Sequence, residues 1–84
     1  MNKDNVIVIF KIIKKNIVVD LEIPLWITAN DLISALNDAY NLGIDISDIK
    51  NCFLIAENPI ALLKGNKTLK EYGIRNGSFI IYKD

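Results

Sequence analysis

Between Ile17 and Ile23 the chain alternates strictly, with Ile17, Val19, Leu21 and Ile23 at one parity and Val18, Asp20 and Glu22 at the other. Side chains of a strand change face at every residue, whereas a helix repeats every 3.6, so this stretch predicts a β-strand with one buried face. Just before it, Val6 to Ile13 is rich in β-branched residues, and Lys14-Lys15-Asn16 interrupts the two runs, which predicts a hairpin. The first strand is apolar at both parities. Its one charged residue, Lys11, belongs in water, which places Val6, Val8, Phe10 and Ile12 in the core and leaves Ile7, Ile9 and Ile13 outside. Pro24 has no amide to give to a ladder and closes the hairpin.

A helix follows. Thr28 suits an N-cap, Asp31 stands three residues on as in a capping box, and Ile27 and Leu32 are spaced as a hydrophobic staple. Leu32, Ile33, Leu36, Ala39 and Tyr40 recur at helical spacing, Asn30, Ser34, Asn37, Asp38 and Asn41 form the polar side, and Gly43 supplies a left-handed stop. Ile44 to Lys50 reads as a connector, Cys52 to Ala56 as a strand, Glu57-Asn58-Pro59 as a turn, and Ile60 to Leu63 as a short strand. After a turn at Lys64 to Lys67, Thr68 to Tyr72 coils briefly, and Ser78 to Tyr82 is the last strand. The expected architecture is α+β: a single domain over residues 1–84, with a mixed four- to five-stranded sheet and one helix packed on one face.

Composition removes several classes of function. The 84 residues are 51% hydrophobic, enough for one core and no more than one domain. Ten basic and ten acidic side chains cancel, so no long-range field draws the chain to nucleic acid or an anionic membrane surface. There is no histidine, which removes Ser-His-Asp, Cys-His and histidine-based metal chemistry together. The one cysteine, Cys52, lies in an apolar run and reads as a small buried hydrophobe. Asp45 and Asp48 have no third ligand for calcium. We therefore expect no enzyme, no catalytic residue, no cofactor and no metal. Lys11, Lys14 and Lys15 read as a solvated turn opposed by Asp20 and Glu22, and Trp26 as a lid on the helix end. No apolar run approaches the ~18 residues of a membrane span, and the short apolar stretch after Met1 is no signal peptide. The expected location is the cytoplasm, without membrane insertion.

The order of elements is that of a β-grasp domain, and the run Thr68-Leu69-Lys70-Glu71-Tyr72-Gly73-Ile74 resembles the segment of ubiquitin that leads into its last strand. The resemblance implies that Leu69 and Ile74 are core and that the Tyr72 hydroxyl closes the loop on backbone. A narrower resemblance spans nearly the whole chain. The β-branched first strand with Val6, Val8 and Phe10, the Ile23-Pro24 exit, and Tyr72-Gly73-Ile74-Arg75-Asn76-Gly77 together look like the YukD and EsaB family of ubiquitin-like proteins. That family implies a cytoplasmic accessory of a type VII secretion system in a Gram-positive bacterium, peripheral to a membrane-bound machine that exports small helical Trp-x-Gly proteins. The sixteen Ile, ten Asn and nine Lys, residue types favoured by AT-rich codons, agree with such a source.

Conjugated ubiquitins and sulfur carriers use a flexible tail ending in Gly-Gly. Here the chain stops at Ile80-Ile81-Tyr82-Lys83-Asp84, directly after the last strand, so we expect neither conjugation nor sulfur transfer. The surplus of apolar residues is the feature that points to a function. One helix covers one face of a sheet, yet the first, third and last strands are apolar at both parities. The resemblance sets Leu54, Ile80 and Tyr82 inward, leaving Ile7, Ile9, Phe53, Ile55, Phe79 and Ile81 as one outward patch for a protein partner, either a second copy or a different protein. A strand misphased by one residue, or termini lying over the face, would close that patch. The expected function is a non-enzymatic accessory or regulator of type VII secretion acting by protein binding. The competing readings are a β-grasp adaptor unrelated to secretion and, further off, a sulfur carrier.

Overall fold

In a computed structural model of the protein, which describes residues 4–83, the hairpin forms as the alternation requires. The Met1-Asn2-Lys3 lead and Asp84 lie outside the described residues. Strands β1 (Asn5–Ile12) and β2 (Ile17–Pro24) pair antiparallel in one unbroken register, from Asn5 opposite Pro24 to Ile12 opposite Ile17. Val6, Val8, Phe10 and Ile12 are buried, as the placement of Lys11 in water demanded. Asn16 turns the chain with a φ of 55°, a left-handed conformation that asparagine tolerates.

Helix α1 (Ala29–Tyr40) crosses one face of the sheet and buries Ala29, Leu32, Ile33 and Leu36. The Thr28 hydroxyl accepts the Asp31 amide at 3.1 Å, satisfying one of the donors that a helix start leaves over. Two details differ from the periodicity. Ala39 is exposed and Ala29 takes its place in the core. The helix also stops at Asn41, whose φ and ψ of 55° and 52° are left-handed, two residues before Gly43. Asn41 makes the stop itself, its left-handed backbone turning its amide onto the Asn37 carbonyl, and the Lys15 ammonium from the hairpin turn donates to the carbonyls of Tyr40 at 2.9 Å and Asn41 at 3.3 Å, where the helix dipole favours a cation. Asn37 then clamps the connector, its side chain donating to the Ile44 carbonyl and accepting the Ile44 amide, both at 2.9 Å.

Three further strands complete the sheet: β3 (Leu54–Glu57), β4 (Ala61–Leu63) and β5 (Phe79–Tyr82). The order is β2-β1-β5-β3-β4, with β1 and β5 parallel and the other neighbours antiparallel. Each of these strands begins one or two residues later than the expected Cys52, Ile60 and Ser78. Cys52 is buried ahead of β3 without joining the ladder, and Ile60 is held out in solvent by the turn at Asn58 and Pro59.

The loop between β4 and β5 supplies the lower core. Leu69 and Ile74 are buried, and the Tyr72 hydroxyl donates to the Lys64 carbonyl at 2.7 Å while accepting its amide at 3.3 Å. Tyr72→Phe keeps the ring and deletes both bonds, so it is expected to cost about 1 kcal/mol in urea unfolding, with an unchanged midpoint counting against the closure. Thr68 and Glu71 form a reciprocal box. The Thr68 amide and hydroxyl donate to the Glu71 carboxylate at 3.0 and 3.1 Å, and the Glu71 amide donates back to the Thr68 hydroxyl at 3.2 Å. Bonds from the Thr68 amide and then its hydroxyl hold the Glu71 carboxyl below its ordinary range. A carboxyl depressed on folding stabilises above its unfolded pKa, and that contribution is lost as pH falls through the folded value. Glu71→Gln is therefore expected to flatten the acid limb of a melting-temperature profile below about pH 4.3, the model-peptide range of glutamate.

Candidate functional site

On the sheet face opposite α1, the register sets side chains in rows. Asp20 of β2, Ile9 of β1, Phe79 of β5 and Glu57 of β3 stand side by side. Next to them runs Val18, Lys11, Ile81, Ile55 and Leu62, one residue from each of the five strands. Ile7 lies opposite Glu22 at the start of β1, and Phe53, just before β3, has the parity of Ile55. Five of the six residues expected to face outward, Ile7, Ile9, Ile55, Phe79 and Ile81, thus belong to one side of the sheet, because β1, β5 and β3 are neighbours, while Phe53 lies ahead of the ladder.

Their accessibility is uneven. Ile7 is 40% exposed, while Ile9, Phe53, Ile55 and Phe79 are half-buried by their row neighbours. Ile81 departs from the expectation of an exposed residue. It lies outside the core cluster, yet only 8% of its surface is open, because it sits on a central strand between Lys11 and Ile55. A charge placed there would be buried and would lower stability.

Two contributors escaped the sequence. Leu62, 46% exposed, extends the patch onto β4, but a three-residue strand carries too short a pattern to set its phase. Lys11, expected from its place in the hairpin to be opposed by Asp20 and Glu22, is directly opposed by neither: the register pairs it with Val18, and its ammonium lies 4.6 Å from the centre of the Phe79 ring, a cation–π contact inside the apolar surface. The face is therefore an aliphatic and aromatic field with one cation near its middle and Asp20, Glu22 and Glu57 around it. At its far end Phe53, Asn51, Tyr82 and Lys83 line an open groove of about 310 Å³.

Elsewhere the chemistry is limited. Burial first, and then the charges of Asp45 and Asp48, push the Cys52 thiol up, away from the reactive thiolate. Asp45 is occupied by Ser47, whose amide and hydroxyl donate to it at 3.0 and 2.6 Å, and Asp48 accepts the Asn51 amide group at 2.8 Å. Among the described residues no three His, Cys, Asp or Glu side chains are grouped to hold a metal ion. No helix among them is long and apolar enough to cross a membrane. Trp26 is 67% exposed and is no lid. The carbonyls of Leu25 and Ile27 accept the Lys70 and Leu69 amides and both side chains pack on the core, while the Ile27 amide closes a turn on the Pro24 carbonyl, which leaves Trp26 outward at its tip.

Solved structures with the same arrangement are ubiquitin-like. A ubiquitin-like domain of an Arabidopsis thaliana protein superposes with a TM-score of 0.70 at 20% identity, covering 99% of this chain and 88% of that one. The C-terminal ubiquitin-like domain of mouse tubulin-specific chaperone e gives 0.69 at 13% identity, covering 100% and 92%. The ubiquitin-like domain of Plasmodium falciparum Dsk2 gives 0.61 at 20% identity, covering 94% and 99%. These likenesses show the ubiquitin-like β-grasp fold and nothing finer. Among curated proteins, none matches the sequence. The family model described as "WXG100 protein secretion system (Wss), protein YukD" matches residues 7–81, which takes in β2, α1, β3 and β4 whole, β1 from its third residue and all but the last residue of β5. With that match over nearly its full length, the chain belongs to the YukD family of ubiquitin-like proteins associated with type VII secretion.

Proposed function

We propose that the protein is a non-enzymatic accessory of a type VII secretion system, acting in the cytoplasm, peripheral to the membrane-bound machine, by binding one of its components through the outer sheet face. Ile7, Ile9, Phe53, Ile55, Phe79 and Ile81 form that interface, with Ile81 as its rigid floor and Ile7 as its most open member. The observation that carries this reading is the apolar field on the uncovered side of the sheet. A stable domain of this size gains nothing from leaving so many aliphatic side chains beside water, and contiguous apolar surface of that kind marks binding sites. Recognition would rest on apolar burial, with the acidic rim and Lys11 setting orientation.

Binding without covalent attachment is part of the proposal. Tyr82 packs against the core, so the last strand is committed to the fold up to that residue. Intact-mass spectrometry of the protein purified from its own cells is expected to find the unmodified chain, and a thiocarboxylate or protein adduct would overturn this. The partner is tested by photocrosslinking in cells from a probe amino acid at position 7. Adducts with components of the secretion machine are expected. Recovery of soluble proteins unrelated to secretion would favour an adaptor role instead, and a crosslinked second copy would make the face a homodimer interface.

A further inference from the structure

We propose that the open edge of β2 receives an extended, basic segment of a partner protein as a sixth strand of the sheet. The edge is a different surface from the outer face, although Asp20 and Glu22 border both. β2 ends the sheet on one side and runs eight residues, whereas the opposite edge, β4, has three. Its register with β1 is continuous and carries no bulge. Exposed strand edges are ordinarily blunted by lysine, proline or bulges, because their unpaired amides and carbonyls template further pairing. Along β2 there is no lysine and no bulge, and its one proline is Pro24, the last residue; what marks this edge is the acidic pair Asp20 and Glu22.

The side chains state what kind of strand would fit. Inward-pointing Ile17, Val19 and Leu21 are only half-buried, although they pack against the core. An added strand with aliphatic residues at alternate positions would cover them. On the other side Asp20 and Glu22 are both exposed. Two of the three lysines of the hairpin are engaged away from this edge: Lys11 lies on the Phe79 ring and Lys15 on the end of α1. Asn5 donates to Glu22 at 3.1 Å, which is neutral and leaves the charge in place. The edge therefore presents two carboxylates two residues apart, matching lysine or arginine at the same spacing. A second copy is disfavoured by the same residues. Two β2 strands paired antiparallel about Asp20, Leu21 or Glu22 would set Asp20 against Asp20, Asp20 against Glu22, or Glu22 against Glu22, and like charges directly opposite destabilise a ladder. The acidic pair thus guards against self-association and selects a basic strand at once.

The test uses the whole chain, labelled for amide NMR, titrated with the synthetic peptide acetyl-Lys-Ile-Lys-Val-Arg-Ile-Lys-amide. Saturable shifts concentrated at residues 17–23 are expected, with the affinity falling as salt rises. The same peptide N-methylated at alternate amides cannot extend the ladder, and a version with glutamate at the basic positions meets Asp20 and Glu22 with like charge; neither is expected to bind. The double variant Asp20→Lys, Glu22→Lys, at two exposed positions, is expected to bind the basic peptide about tenfold or more weakly. Absence of shifts, equal binding of the N-methylated peptide, unchanged affinity of the double variant, or shifts centred on the outer face would each overturn the proposal. So would concentration-dependent shifts of β2 without peptide. Should the double variant misfold, the two control peptides on the unaltered chain still decide.

Discussion

Phe10→Ala is expected to lower unfolding free energy by about 3–5 kcal/mol, the range for removing a fully buried aromatic ring. Phe10 has no exposed surface and lies in the core face of β1, opposite Val19 of β2 and Ile80 of β5. Its ring meets Tyr40, at the end of α1, edge to face with centroids 5.2 Å apart and planes 60° apart. One side chain therefore joins the helix to three strands, and alanine would leave a cavity that rigid strands cannot collapse into. Domains have roughly 0.05–0.15 kcal/mol of stability per residue, so for a chain this short the loss is a large part of the whole. The urea midpoint should fall accordingly, and a loss below about 1 kcal/mol would show that Phe10 does not hold the helix to the sheet.

The second large effect is on binding. Ile7→Lys combined with Ile9→Lys is expected to abolish capture of the partner while changing stability by less than about 0.5 kcal/mol. The register explains why folding should tolerate the change: Ile7 lies opposite Glu22 and Ile9 opposite Asp20, so each new lysine gains a cross-strand carboxylate. The apolar field, however, would receive two charges at its β1 side. Truncating a central interface residue commonly costs 2 kcal/mol or more, about thirtyfold in affinity, and burying an unmatched charge costs further. Melting temperature and crosslinking yield, measured on the same preparation, separate the two readings. A folded variant that still captures its partner in full would remove the outer face from consideration. Ile81 is unsuitable for this test because its burial would mix the two effects.

These expectations rest on strand phase, and the reasons why phase was readable differ between strands. In β2 the alternation is complete, and polar Asp20 and Glu22 leave one choice of face. In β1 a single residue, Lys11, decided it, and the burial of Val6, Val8, Phe10 and Ile12 follows that choice. β3 and β5 are apolar at both parities, so their residues do not state a phase; the resemblance to ubiquitin-like domains did so, and the core includes Leu54 and Ile80 while leaving Ile55 and Ile81 out. Helix α1 was legible from its N-cap and its period. Its end was not, because Asn41 and Gly43 can both take a left-handed stop and local pattern does not rank them.

By itself the sequence determined the hairpin, the one amphipathic helix, the lack of histidine chemistry and the surplus of apolar strand residues. All of these are local or compositional, and side-chain periodicity is enough to read them. Only the tertiary structure decided how that surplus is distributed. Strand order placed β5 between β1 and β3, which made the outward residues neighbours and buried Ile81 at their centre. It also left β2 at an edge, with Asp20 and Glu22 beside unpaired backbone. Accessibility depends on what stands on either side of a residue in the sheet, and lateral neighbours come from strands distant in the chain, so no local pattern can encode it.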